Sequence, residues 1–187
     1  MTFHQYPNEQ GLYRPQFEHD ACGIGMYANI KGVASHDIVL KGLEMLCRLE
    51  HRAGRGGDGT GDGAGIMVEI PHEYFKSYVS ELALPERGKY GVAQIFFTHN
   101  DAEREQIEAK FNELIAEEGQ QLIGWRTAPT NAATLRKSAK DTAPFVRQLF
   151  IGAVGVEGLA FERKLYIIRK QVEHWATAQG FTFYCPS

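Results

Sequence analysis

The chain has 187 residues, of which 43% are hydrophobic and 23% charged, with a net charge of -3 and an isoelectric point near 6.2. That composition supports one substantial core or two small ones, with roughly 70% of the unfolded surface buried on folding. It excludes a basic footprint for phosphate backbones, so no nucleic acid is expected as a partner. No run approaches the roughly 18 apolar residues of a membrane span, and the first 20 residues do not follow a basic-then-apolar secretory order. Cys22, Cys47 and Cys185 are odd in number and form no C-x-x-C pair. Neither a disulfide framework nor a metal site is indicated, and a reducing, cytoplasmic location is expected.

Residues 1–20 show no apolar periodicity and read as an irregular leader; a thiol at position 22 that used its own α-amine as base would make residues 1–21 a propeptide-like segment to be cut away. Ala21 to Ile30 is predicted to be a strand. Ser35 is a plausible cap for a helix, with Asp37 in its first turn. Ile38, Val39, Gly42, Leu43, Leu46 and Leu49 then recur at helical spacing until about Glu50. His51 to Gly65 (HRAGRGGDGTGDGAG) is seven-fifteenths glycine and must be a loop, since each glycine costs a regular element about 1 kcal/mol. Ile66 to Ile70 reads as a strand, and Pro71 to Leu82 as a helix with Pro71 at its first position.

From Tyr90 the pattern is clearer. Strands are predicted at Tyr90 to Thr98, Gln121 to Arg126, Phe145 to Val154 and Phe181 to Cys185. Helices are predicted at Asp101 to Glu118 and Glu157 to Gln179. This is a βαββαβ segment across residues 90–185 of an α+β chain. Thr127 to Pro144 is polar and reads as an exposed excursion. Leu165, Tyr166, Ile168 and Val172 form a packing stripe, and Trp125 and Trp175 fill the core. Cys47 and Cys185 are expected to be inert. The stop at Tyr184-Cys185-Pro186-Ser187, directly after an apolar strand, suggests a truncated domain.

Cys22 has two readings, a small buried hydrophobe at the start of a strand and a reactive nucleophile. Glycine at 23 and 25 lets another segment approach the sulfur closely. His51-Arg52 and the glycine loop follow a single helix and can return a cation and free N–H groups beside it. A thiol titrates at about 8.5, and a neighbouring cation lowers that value.

The stretches GLYRPQFEHDACGIG, His51 to Gly65 and FTFYCPS resemble the start of bacterial glutamate synthase large subunits, where a class II glutamine amidotransferase domain stands. The resemblance implies an N-terminal nucleophile hydrolase, of which residues 22–187 are the first half of an αββα four-layer fold. It implies cleavage of the Ala21-Cys22 bond, Cys22 as nucleophile with its own α-amine as base, and Arg52 beside it. Ala53 departs from the family's usual glycine. The substrate implied is glutamine, and the partner is the remaining synthase polypeptide. FMN and an iron–sulfur cluster are implied elsewhere in a complete synthase, with no cofactor in this chain.

The family's oxyanion donors come from a downstream Asn-Gly pair, and this sequence holds no Asn-Gly. The isolated chain is therefore expected to lack useful glutaminase activity and to expose apolar surface. A noncatalytic alternative is a split or remnant amidotransferase acting as an interaction module. A weaker one is calcium binding, with Asp58, Thr60, Asp62, Gly63 and Glu69 at positions 1, 3, 5, 6 and 12 of an EF-hand-like loop.

Overall fold

The computed structural model describes residues 23–50, 60 and 63–186. The chain divides into two units, residues 1–67 and 68–187.

In the first unit the predicted helix is α1 (His36–Arg48), one or two residues shorter than its periodicity suggested. Ser35 stands at the N-cap in an extended conformation but gives no side-chain cap; its carbonyl accepts from the Ile38 N–H at 3.2 Å. Of the predicted stripe, Ile38, Val39, Gly42, Leu46 and Leu49 are half-buried, as is Met45, whereas Leu43 is exposed, and no residue of α1 is fully buried. Residues 23–30 and 66–70, both predicted as strands, form none. A strand is stabilised by a partner ladder, and among the described residues neither segment has one. Ile24 and Met26 are 89% and 88% exposed, and Ile30 is fully so.

In the second unit α2 (His72–Tyr78) begins one residue late, because Pro71 takes the cap rather than the first helical position. It also stops four residues early, at the non-helical Val79. There follow β1 (Tyr90–Phe97), α3 (Asp101–Glu117), β2 (Gln121–Thr127), α4 (Lys137–Thr142), β3 (Phe145–Gly152), α5 (Gly158–Gln179) and β4 (Phe183–Tyr184). The βαββαβ order holds, with the short α4 inserted in the polar excursion.

The four strands make one antiparallel sheet of order β2-β3-β1-β4. β1 and β2, joined by α3, are separated by β3, and β3 and β4, joined by α5, are separated by β1, the split βαβ arrangement. Asn100 caps α3 by accepting the Glu103 N–H at 3.2 Å. α5 ends at Gly180, whose φ of 75° is the left-handed turn that glycine takes without strain.

Alternation along the strands splits the side chains between two faces. Ile95, Phe97, Leu149 and Ile151 meet Ile107, Phe111, Leu114 and Ile115 of α3 and Phe161, Ile168 and Val172 of α5 in the larger core. The opposite face sets Tyr90 and Phe150 against Phe75 and Val79. Trp125 fills the larger core, and its Nε1–H donates to Asn112 Oδ1 at 2.9 Å. Tyr166, predicted in the packing stripe, is 58% exposed. The α5 stripe runs instead through Phe161, Ile168, Val172 and Ala176.

Candidate active site

Cys22, Ala21 and Arg52 lie outside the described residues, as do Asp58 and Asp62 of the calcium reading. What the structure describes is α1 and the segments on either side of it in the chain.

Gly23 and Gly25 run beside the inner face of α1. A methyl group on Gly25 would stand 2.8 Å from Met45 Sδ, and one on Gly23 3.1 Å from Leu49 Cδ2. Only a residue without Cβ passes Met45 this closely unless the thioether moves. The residue after Cys22 therefore touches the side chain of Leu49, three positions before Arg52. The G-x-G spacing marked a close approach in the sequence, but not that Met45 and Leu49 were the side chains approached.

Around the end of α1, Glu44 accepts hydrogen bonds from Arg48 Nη2 at 2.6 Å and Nε at 3.1 Å, and from Lys41 Nζ at 3.4 Å. The Arg48 bonds, then those of Lys41, hold the Glu44 carboxyl below its usual range. Arg48 is in the last turn, where a cation complements the partial negative charge of a helix C-terminus. Cys47, on the same helix, is exposed.

The glycine loop re-enters the described residues at Gly63. Residues 63–70 form no helix, whereas an EF-hand needs a helix leaving its loop. Glu69, the twelfth position of that reading, is ion-paired with Arg87. Among the described residues no three His, Cys, Asp or Glu side chains are grouped to hold a metal, and no helix is long and apolar enough to cross a membrane. Cys185 is buried in the larger core of the second unit.

Residues 22–187 match the family model of class II glutamine amidotransferases. The chain is 52% identical over 190 residues to the glutamate synthase [NADPH] large chain of Bacillus subtilis, covering all of this chain and 12% of that protein. It is 33% identical to the glutamate synthase [NADH] of Saccharomyces cerevisiae, with 96% of the chain and 9% of the relative covered. Against the ferredoxin-dependent glutamate synthase of Spinacia oleracea the identity is 34%, over 86% of the chain and 10% of the relative. The chain thus spans about a tenth of the length of these relatives. With a match that begins at Cys22 and runs through the split βαβ unit, the chain belongs to the class II glutamine amidotransferases.

Proposed function

We propose that this chain is the opening part of a glutaminase that releases ammonia for glutamate synthesis. Cys22 is the nucleophile, Arg52 stands beside it, and residues 1–21 are a leader removed by cleavage of the Ala21-Cys22 bond. The observation that carries this reading is the family match beginning at residue 22.

The cleavage is a chemical requirement. An amide nitrogen has its lone pair delocalised into the carbonyl and does not accept a proton near neutral pH. A free α-amine, with a pKa of about 7.7 to 8, does. The amine takes the thiol proton, and sulfur attacks the side-chain amide carbon of glutamine. The C–N bond breaks, ammonia leaves with the proton returned by the amine, and water hydrolyses the glutamyl thioester to glutamate and free thiol. A guanidinium at Arg52 suits a substrate carboxylate, which it can grip through two parallel N–H donors.

The complete reaction belongs to a longer polypeptide of the glutamate synthase kind. That polypeptide supplies the oxyanion donors, the other layers of an αββα fold, and the FMN and iron–sulfur chemistry that uses the ammonia. The isolated 187-residue chain is assigned no useful glutaminase activity, and the site of action is the cytoplasm.

The test is made on the full-length protein. Intact-mass analysis should find Cys22 as the first residue, and Cys22→Ala should lower ammonia release from glutamine by about 10³-fold or more. A fully active protein that still carries residues 1–21 would falsify the reading. An uncleaved protein without activity would favour the noncatalytic module.

A further inference from the structure

We propose that β4 is the beginning of a longer strand. In the full-length protein the polypeptide following Pro186 lies antiparallel along the open edge of β1 and fills the groove between that edge and α5.

The two strands pair at Phe96–Tyr184 and Phe97–Phe183, leaving Tyr90 to Ile95 without a neighbour on that side among the described residues. The direction of the unpaired groups follows from one hydrogen bond. The Ala153 N–H donates to the Lys89 carbonyl at 2.9 Å, one position beyond the Tyr90–Gly152 pair. Backbone bonding groups alternate along an antiparallel strand, so the odd residues of β1 bond β3, while Tyr90, Val92 and Gln94 turn theirs to the open edge. An open row of amides and carbonyls is a template for another strand.

Beside this edge lies a groove of about 330 Å³, lined by Val92, Ala93, Leu165, Tyr166, Cys185 and Pro186 among others. Cys185 and Pro186 are therefore already in it. Arg169 holds them there, its Nη1 donating to the Cys185 carbonyl at 3.0 Å and the Pro186 carbonyl at 3.3 Å. Carried on by two residues, the register sets Pro186 opposite Gln94, a bonding position, and Pro186 has no N–H to give. One rung is lost, which accounts for the two-residue length of β4. Beyond the proline the register continues, with position 188 opposite Val92 and position 190 opposite Tyr90. The occupant is assigned to the same polypeptide because the relatives extend well past the matched region, this chain covering 12% of the Bacillus protein. The assignment is independent of the reading of Cys22.

Two measurements on the full-length protein test it. If the strand continues in this register, Ala93 and position 187 form a non-bonded pair, and Cα atoms in such pairs stand about 4.5 Å apart, within the span of a disulfide. Ala93→Cys with Ser187→Cys should therefore cross-link under mild oxidation, as read by peptide mass mapping. Ala93→Cys with cysteine at position 188, on the other face, should not. In the unsubstituted protein the Tyr90 and Val92 amides should exchange with deuterium at least about tenfold more slowly than in the 187-residue chain. Failure to cross-link, cross-linking by the out-of-register pair as well, or equal exchange in the two proteins overturns the proposal. So does protection in the 187-residue chain that grows with protein concentration, which would mean a second copy on the edge.

Discussion

Two glutamates of the second unit illustrate how local surroundings set the sign of a carboxylate's effect. Glu118 is the C-cap of α3, where the helix dipole disfavours a negative charge. Lys164 compensates by donating to its Oε2 at 2.7 Å, and Gln171 adds a bond to Oε1 at 3.3 Å. The Lys164 hydrogen bond is the main reason its carboxyl lies below the ordinary range, with burial acting against it. Glu108 is the converse. Burial raises it, although Arg147 and Arg104 stand 3.4 and 3.8 Å from its Oε1. That oxygen has no hydrogen-bond partner, and neither has Arg147 Nε.

A depressed carboxylate contributes stability above its unfolded pKa of about 4.3, and the contribution is lost as pH falls through the folded value. A raised one withholds stability at neutral pH and returns it on acidification. Glu118→Gln should therefore destabilise the protein at pH 7, by less than about 1 kcal/mol for so accessible a pair, and cost nothing near pH 3. Urea unfolding at the two pH values decides it. A loss of equal size at both, or a gain at pH 7, would show that the Lys164 contact does not act through charge.

At the scale of elements, the long pieces of the second unit were legible because apolar periodicity and burial coincide. In α3, Ile107, Phe111, Leu114 and Ile115 repeat at helical spacing and are the residues that pack. β3 ends two residues before its predicted limit, where Ala153 turns its N–H to Lys89. α4 was not legible. Its six residues have no apolar stripe, and nothing local marks the His99 Nε2 that meets the Ala143 carbonyl at 2.7 Å just beyond its end. The segments 23–30 and 66–70 have strand-like composition, but pairing is a nonlocal property that composition does not supply.

The candidate site was readable in residue types and only partly in space. Cys22 and the loop stood out by their glycines. Of the helix residues passing those glycines, Leu49 read as one more apolar position at helical spacing, and Met45 was not singled out. Gly25→Ala tests that contact: its methyl would meet Met45 Sδ at 2.8 Å, and the flexible thioether must yield. The substitution should destabilise α1 locally by about 1 kcal/mol, and Met45→Ala in the same chain should relieve most of that cost. Hydrogen exchange of the α1 amides in the two variants measures the coupling. Additive effects would mean that the close approach does not limit this position.

For the whole molecule, the two units differ in how much each can hold itself together. The sheet unit has side chains wholly removed from water, among them Ile95, Ile107, Leu149, Phe150 and Val172 at 0% exposure. By contrast, α1 has no buried residue, and Ile24, Met26 and Ile30 beside it are largely exposed. Hydrophobic stabilisation scales with apolar area removed from water, at about 25 cal/mol per Å², so the described residues of the first unit have much less to offset the entropy of ordering their backbone. Local opening free energies follow that difference. In the 187-residue chain the amides of α1 should exchange at least about 100-fold faster than those of β3 at the same pH and temperature, and in the full-length protein the gap should narrow as further chain covers the apolar side chains. Equal protection of α1 and β3 in the short chain would show that the first unit draws its stability from contacts other than its own. An unchanged gap in the long one would show that Ile24, Met26 and Ile30 stay uncovered there.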